Sequence, residues 1–425
     1  MIRSIKTTCI VLVATFGICL AKSNTTTAGS YPADVASDMA LIYQGSIHRP
    51  DWTENQLTPY VTHTFTDGHT DWFFNSFLFL EFTNNWEVAY GYGYGSRYAK
   101  KGDWEWLLNR IFERGKSLDA LNKCIEHNKA RLGEPKIKHK IVLGIVSPIS
   151  GQTDWGTLDG QILNFEYQSA QIKAAKWYID QLMKRFADGG YNNLELVGFY
   201  WIEESTGSCR DLPKYINQYI HQLGKRAYWI PYWGAEGYNE WKELGYDTAF
   251  LQPNYFFDKN VIDARLDDAC RTAKQFDMAL EMEFDSNVLY EKPNSSYNRL
   301  EKYIDAFEKY GVFEKSAIAY YSGTKGILDM YNSSAIENTI ILDRIANHIV
   351  ERRNRALGMD SPLNPKTGII VVGGIGMIYV SGTAKSIQVY TINGTLISEN
   401  NKSTQCSPGI YIVRVDGETT KVIVQ

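Results

Sequence analysis

Leu196-Val197-Gly198-Phe199-Tyr200-Trp201-Ile202-Glu203-Glu204 is an apolar and aromatic run that ends in two adjacent carboxylates. A run this short, apolar at consecutive positions, reads as a strand buried on both faces. Similar runs lie on either side of it: residues 39–44, 72–82 and 141–149 before, and 227–233, 248–255, 278–284 and 317–321 after. With 194–202 they make eight. Several of the stretches between them carry apolar residues at helical spacing. Residues 165–186 place Ile172, Ala175, Ile179, Leu182 and Phe186 on one stripe, and 104–132, 212–223, 261–276 and 297–310 follow the same period. Residues 335–353 close the series, with Ile336, Ile340, Ile341, Ile345 and Ile349. Strands that alternate with helices pair in parallel, with the helices outside. Eight such units fit an α/β fold of the TIM type, a (β/α)8 barrel spanning residues 38–355. A doubly wound open sheet is the alternative, but no Gly-rich phosphate loop follows any strand.

In such a barrel chemistry gathers where the strands end. The run 194–202 delivers Glu203 and Glu204 there, and the next candidate is Leu280-Glu281-Met282-Glu283-Phe284-Asp285. Strand alternation puts Leu280, Met282 and Phe284 on the helix side and Glu281, Glu283 and Asp285 on the inner side. Buried carboxylates are unfavourable unless paired or hydrogen-bonded. At the mouth of a cleft the same penalty shifts pKa values toward acid–base work. The candidate catalytic residues are therefore Glu204, Glu283, Glu203 and Glu281, with Glu204 and Glu283 preferred because each lies nearer the end of its strand. Capping of the following helices, or pairing with Arg or Lys across the barrel, is the structural alternative.

Tyr and Trp are abundant, at 28 and 11 residues, and many stand at or near strand ends. Flat rings stack on the apolar faces of pyranoses, and strand aromatics also serve as plain core. The candidates are Trp201, Trp229, Tyr232, Trp233, Tyr255 and Tyr321, with Tyr228 and Tyr320 nearby. Gln252, Asn254 and Glu81, and less so Gln44, have the chemistry to bind hydroxyls. The loop Tyr90-Gly91-Tyr92-Gly93-Tyr94-Gly95-Ser96-Arg97-Tyr98 is either a mobile binding loop or a packed hairpin.

Other chemistries lack support. The formal net charge is −4 and the pI about 6.0, with no basic cluster, which argues against a nucleic-acid partner. The chain contains no C-x-x-C, H-E-x-x-H or G-x-S-x-G, so no metal or cofactor is expected. His63 and His69 are the nearest His pair. Cys124, Cys209, Cys270 and Cys406 are scattered, and any pairing is unreadable.

The two ends carry their own signals. Arg3 and Lys6 precede an apolar run over 8–20, and Cys19-Leu20-Ala21 offers small residues for cleavage, as in a signal peptide over 1–21. Bulky Ile18 weakens a lipoprotein reading through Cys19. The apolar run is short for a membrane span, so a mature chain from about Lys22 has no integral span. Residues 22–37 read as a flexible lead-in and 356–367 as a linker, through Met359-Asp360-Ser361-Pro362-Leu363-Asn364-Pro365. From Gly368 to Gln425 the chain reads as a small all-β sandwich, with strands at 369–372, 387–392, 410–415 and 421–424 and a hairpin turn at Asn393-Gly394.

Three resemblances add to these readings. Ile387-Gln388-Val389-Tyr390-Thr391-Ile392-Asn393-Gly394 resembles the V-x-V-Y-x-x-x-G strand and turn of the C-terminal sorting domain of the bacterial type IX secretion system. Gly409-Ile410-Tyr411-Ile412-Val413 and Lys421-Val422-Ile423-Val424 resemble the ending of that domain. This implies the type IX secretion machinery as a partner and a secreted or cell-surface location. Strand order resembles the large clan of retaining glycoside hydrolases on this barrel, in which a strand-four Glu donates the proton and a strand-seven Glu is the nucleophile. It implies Glu204 or Glu203 as acid/base and Glu283 or Glu281 as nucleophile, although the clan's Asn-Glu pair is absent and Ile202 and Glu203 stand before Glu204. Finally, Gly198-Phe199-Tyr200-Trp201-Ile202-Glu203-Glu204 resembles a family of exported bacterial glycosidase-like barrels of unassigned function. The expectation is an exported glycoside hydrolase that cleaves a polysaccharide or glycan with two carboxylates. The alternative is a carbohydrate-binding or surface-adhesion protein without catalysis.

Overall fold

Eight parallel strands close on themselves in this computed structural model, which describes residues 32–47, 49, 51–85, 87–357, 369–374, 376–382 and 384–424. The expected signal peptide lies outside the described residues, as do residues 22–31 and 358–367 of the expected lead-in and linker. The strands are β1 (Asp38–Tyr43), β2 (Ser76–Leu80), β3 (His139–Ile145), β4 (Leu194–Trp201), β5 (Arg226–Trp229), β6 (Thr248–Leu251), β7 (Ala279–Glu283) and β8 (Ile318–Tyr321). Each pairs with its sequence neighbours, and β8 returns to β1 from Asp38↔Ile318 to Ala40↔Tyr320. Every residue of β1, β2 and β7 is buried, as a parallel sheet covered by helices requires.

The observed elements refine the expected ones. Helix Gln168–Gly189 buries Ala174, Ala175, Tyr178, Ile179 and Leu182, while Ile172 and Phe186 are half-buried, so the buried stripe is rotated from the expected one. The expected helix over 104–132 is two helices, Lys101–Ile111 and Ser117–Leu132. The first ends at Phe112, and Gly115 (φ 79°) takes left-handed backbone in the turn before Ser117 (φ 49°) opens the second. Of residues 72–82, only Ser76–Leu80 joins the barrel, because Thr70–Trp72 pairs with Thr62–Thr64 in a separate hairpin. β5 and β6 stop short of the expected ends, just before Pro231 and Pro253, which lack the N–H a ladder needs.

The end of the expected lead-in is anchored rather than loose. Asp34 accepts hydrogen bonds from Arg226 (2.7 Å), Tyr228 (2.8 Å) and Thr248 (2.7 Å) at the N-terminal ends of β5 and β6. β4 carries a bulge between Leu196 and Gly198. A Cβ on Gly198 would collide with the Arg226 carbonyl and the Tyr228 ring, so only glycine lets β4 and β5 approach there.

After the barrel come two antiparallel sheets. One holds Ile370–Gly373, Met377–Ser381 and Ser403–Gln405, and the other Leu396–Glu399, Ile387–Thr391, Gly409–Val415 and Glu418–Val424. They share a core of Ile378, Val380, Ile387, Val389, Val413 and Val422. Gly394 (φ 83°) turns the hairpin between Ile387–Thr391 and Leu396–Glu399. None of Cys124, Cys209, Cys270 and Cys406 forms a disulfide. No helix among the described residues is long and apolar enough to cross a membrane.

Candidate active site

The chain leaves β4 at Trp201, and Glu203 and Glu204 follow at the C-terminal end of the barrel. Trp229, on the neighbouring β5, donates its indole N–H to the Glu203 carbonyl at 2.6 Å and lies flat on Tyr246, with centroids 5.2 Å apart. This fixes the backbone at the two acids. The Glu203 carboxylate accepts the Tyr92 backbone N–H at 2.9 Å and a bond from Ser147. Glu204 accepts the Tyr94 hydroxyl at 3.0 Å on one oxygen and the Gln252 amide at 2.8 Å on the other. The Gln252 amide is itself held by the Ile230 carbonyl at 3.0 Å.

On β7 Glu281 and Glu283 share the inner face and are 3% and 2% exposed. Glu283 Oε2 accepts the Asn254 backbone N–H at 2.6 Å and the Tyr303 hydroxyl at 2.7 Å, and the Tyr255 N–H also bonds the carboxylate. Asn254 has left-handed backbone (φ 47°), and its side-chain oxygen accepts the Trp233 N–H at 2.8 Å. Asp285 turns away and caps the turn Ser286–Val288 through the Asn287 N–H at 2.8 Å.

Burial raises the pKa of all four glutamates. Glu283 is pushed up to about 7, chiefly by burial, with the charge of Glu204 adding and the donors Tyr303, Asn254 and Tyr255 opposing. Glu281 is held well above the usual carboxylate range by burial and then by the charges of Glu283 and Glu204. Glu204 is raised by burial against the bonds from Gln252 and Tyr94, and Glu203 by burial against Ser147 and Tyr92. Glu204, Glu281 and Glu283 therefore lie within electrostatic reach of one another. Tyr43 and Tyr200 join them: burial first, and then the charges of Glu204 and Glu281 among other groups, raise their hydroxyls.

A cavity of about 440 Å³ opens beside the strand-four acids, lined by Tyr92, Tyr94, Ile149, Ser150, Glu203, Glu204, Ser205, Gly207, Ser208 and Tyr232. Glu281 and Glu283 do not line it and are more deeply buried. Of the expected ligand contacts, Tyr232 stands in this cavity, 40% exposed. Gln252 and Asn254 hold the acids themselves. Tyr321 is half-buried against Tyr43 and Phe257. Others require correction. Trp201, Trp229 and Tyr255 are at most 2% exposed and have no face to offer a ligand. The Tyr255 hydroxyl donates to Asp263 at 2.5 Å, and Arg299 covers its ring at 3.6 Å. Arg265 lies over the half-buried Trp233 ring at 4.8 Å. The buried Glu81 carboxylate is occupied by Arg49 (2.8 Å) and the N–H groups of Phe82 (3.0 Å) and Ser46 (3.2 Å). Gln44 is buried and bonded to Ser117. Tyr228 and Tyr320 donate to Asp34 and Asp38.

Sequence reasoning did not single out Tyr92, Tyr94, Ser147 or Tyr303. The Gly/Tyr loop signalled the first two as a group. Tyr303 sits on helix Tyr297–Lys309 among Leu300, Ile304 and Phe307, where its letter reads as core. His63 is buried against Asp343 at 2.6 Å, and His69 pairs with Asp67 at 2.5 Å. Among the described residues no group of three or more His, Cys, Asp and Glu is placed to hold a metal ion.

Residues 38–347 match the family described as a domain of unknown function, DUF4855. No curated protein matches the sequence. Solved structures similar to it include an endo-1,4-β-xylanase from Caldicellulosiruptor owensensis, at 13% identity over 67% of this chain and 84% of that one (TM-score 0.34). A β-glucuronidase 2 mutant from Bacteroides uniformis matches at 8% identity over 92% and 45% (TM-score 0.37). A tryptophan synthase α-subunit mutant from Pyrococcus furiosus matches at 7% identity over 74% and 98% (TM-score 0.34).

Proposed function

We propose that this chain, which belongs to the DUF4855 family, hydrolyses O-glycosidic bonds of a polysaccharide or glycan with two carboxylates, Glu204 and Glu283. One observation carries this reading. β4 and β7 of a closed parallel barrel carry these acids to the same end, where the charge of Glu204 adds to the rise in the Glu283 pKa; Glu204 lines an open cavity with exposed tyrosines, and Glu283 is buried.

Glu204 lines the cavity, and burial keeps its proton on to higher pH, which suits a general acid that protonates the leaving oxygen. Glu283 has Oε2 held by Asn254 and Tyr303, which suits a carboxylate of fixed orientation that attacks the anomeric carbon or activates water. It must be ionised to act, so activity rises as pH climbs toward about 7. Glu203 and Glu281 support the pair, Glu203 beside Glu204 and Glu281 next to Glu283, where burial raises its pKa well above the usual carboxylate range.

Residues 32–364 are incubated with a broad panel of polysaccharides, and new reducing ends and retardation in glycan-containing gels are measured together. Release of reducing ends from one polysaccharide class supports hydrolysis and names the class. Retardation without release favours the non-catalytic carbohydrate-binding reading.

Export to the medium or the cell surface through the type IX machinery belongs to the same proposal. Its support is the motif at 387–394 and 409–424, which falls on the paired strands Ile387–Thr391, Gly409–Val415 and Glu418–Val424.

A further inference from the structure

Exposed rings stand near each of the two acids. Phe257 follows β6 and is 49% exposed, and Tyr94 follows β2 and is 38% exposed. The loops carry them to different strand ends: Phe257 meets Tyr321, the residue of β8 paired with Glu283 of β7, while the Tyr94 hydroxyl reaches Glu204 just after β4. Rings in contact join them: Phe257 to Tyr321 at 5.9 Å, Tyr321 to Tyr43 at 5.3 Å, Tyr43 to Phe82 at 5.9 Å and Phe82 to Tyr94 at 4.3 Å. Tyr43 and Phe82 are buried, so this arc offers its surface mainly at the ends.

Each end belongs to one acid pair. Tyr321, which touches Phe257, lies within electrostatic reach of Glu281 and Glu283. Tyr94 bonds Glu204 and shares its cavity with Tyr232. Eight strands roughly 4.8 Å apart and tilted by roughly 36° enclose a mouth about 15 Å across. A single pyranose cannot reach both rims. Phe257 has no part in the two-acid reaction, yet edge-on contacts with Tyr321 (67°) and Phe256 (76°) hold its half-exposed ring in place.

We propose that the site takes an extended glycan chain laid across the mouth, with one sugar unit stacked on Phe257 beyond Glu283 and another held by Tyr94 and Tyr232 beyond Glu204. The acids then face a bond inside the chain, and cleavage is internal. The cleavage part rests on the hydrolase reading; the binding part does not.

The test is calorimetric titration of the full chain with cello-, xylo-, manno- and chito-oligosaccharides of two and six units. Wild type and Glu204→Gln are compared with Phe257→Ala and Phe257→Trp in each background. In at least one series the six-unit chain is expected to bind at least ~10-fold more tightly than the two-unit chain. Phe257→Ala removes most of that gain and leaves the two-unit affinity unchanged, while Phe257→Trp retains the gain. Six units binding no better than two in every series, or a gain that survives Phe257→Ala, overturns the proposal. If the length dependence holds and wild type cleaves no chain, the hydrolase reading fails and the extended binding site stands. Cleavage without any length dependence overturns the extended site and leaves the hydrolase reading standing.

Discussion

Replacing Glu283 by glutamine should stabilise the protein at pH 8 relative to wild type, and by progressively less toward pH 4. Glu283 is 2% exposed, and its carboxyl is pushed from 4.5 up to about 7, chiefly by burial. An acid raised in this way binds its proton more tightly in the folded chain than in the unfolded one. Its contribution is therefore fully present below about 4.5 and is lost as pH climbs through about 7. A rise of that size, at about 1.4 kcal/mol per pH unit, amounts to about 3 kcal/mol. Glutamine keeps an oxygen to accept from Tyr303 or Asn254 and never ionises. It also removes the charge that helps raise Glu281, which adds an effect of the same sign. Urea unfolding of both proteins at pH 4, 6 and 8 measures the difference. The wild-type disadvantage should open between pH 4.5 and 7 and reach about 3 kcal/mol. Any hydrogen bond the amide loses shifts all three points alike, so the slope carries the test. A difference that stays constant with pH refutes the reasoning.

Tyr94→Phe removes one of the bonds that favour ionised Glu204, so the pKa of Glu204 rises and the alkaline limb of the pH–rate profile moves to higher pH; an unmoved limb counts against Glu204 as the acid. Gly198→Ala forces a methyl group into the Arg226 carbonyl and the Tyr228 ring, and thermal unfolding should show a loss of at least ~2 kcal/mol, with an unchanged melting temperature as the contrary result. Deleting residues 368–425 removes one set of sheets with its own core and should leave the barrel's melting unchanged while trapping the protein in the periplasm. A deleted form found in the medium would remove the case for a sorting domain.

The barrel was legible because parallel strands covered on both faces leave runs such as Phe77-Leu78-Phe79-Leu80 that no helix stripe or hydrated loop imitates. Strand ends were less so, since Tyr232, Trp233 and Tyr255 continue the apolar text past Pro231 and Pro253 although the ladder has stopped. Period-two alternation placed Glu281 and Glu283 on the inner face of β7, where both are buried. The same rule failed to separate ring roles. Trp229 and Tyr232 lie three residues apart, yet one pins the Glu203 carbonyl from the core and the other stands open in the cavity. That difference comes from where β5 ends and the loop turns, which is a tertiary property. Tyr303 was out of reach for a related reason. It arrives from a helix whose apolar stripe hides it, and only the closed barrel brings its hydroxyl to Glu283.

The most direct test of a two-carboxylate site is the rate of reducing-end release by Glu204→Gln and Glu283→Gln, each measured against wild type on the polysaccharide that wild type cleaves. Positioned acid–base groups contribute about 10²–10⁴ in rate. Each variant should therefore fall by at least ~100-fold while its fold and its glycan binding persist. Either variant retaining the wild-type rate, or a wild type that binds glycan as both variants do and cleaves none, would contradict the account.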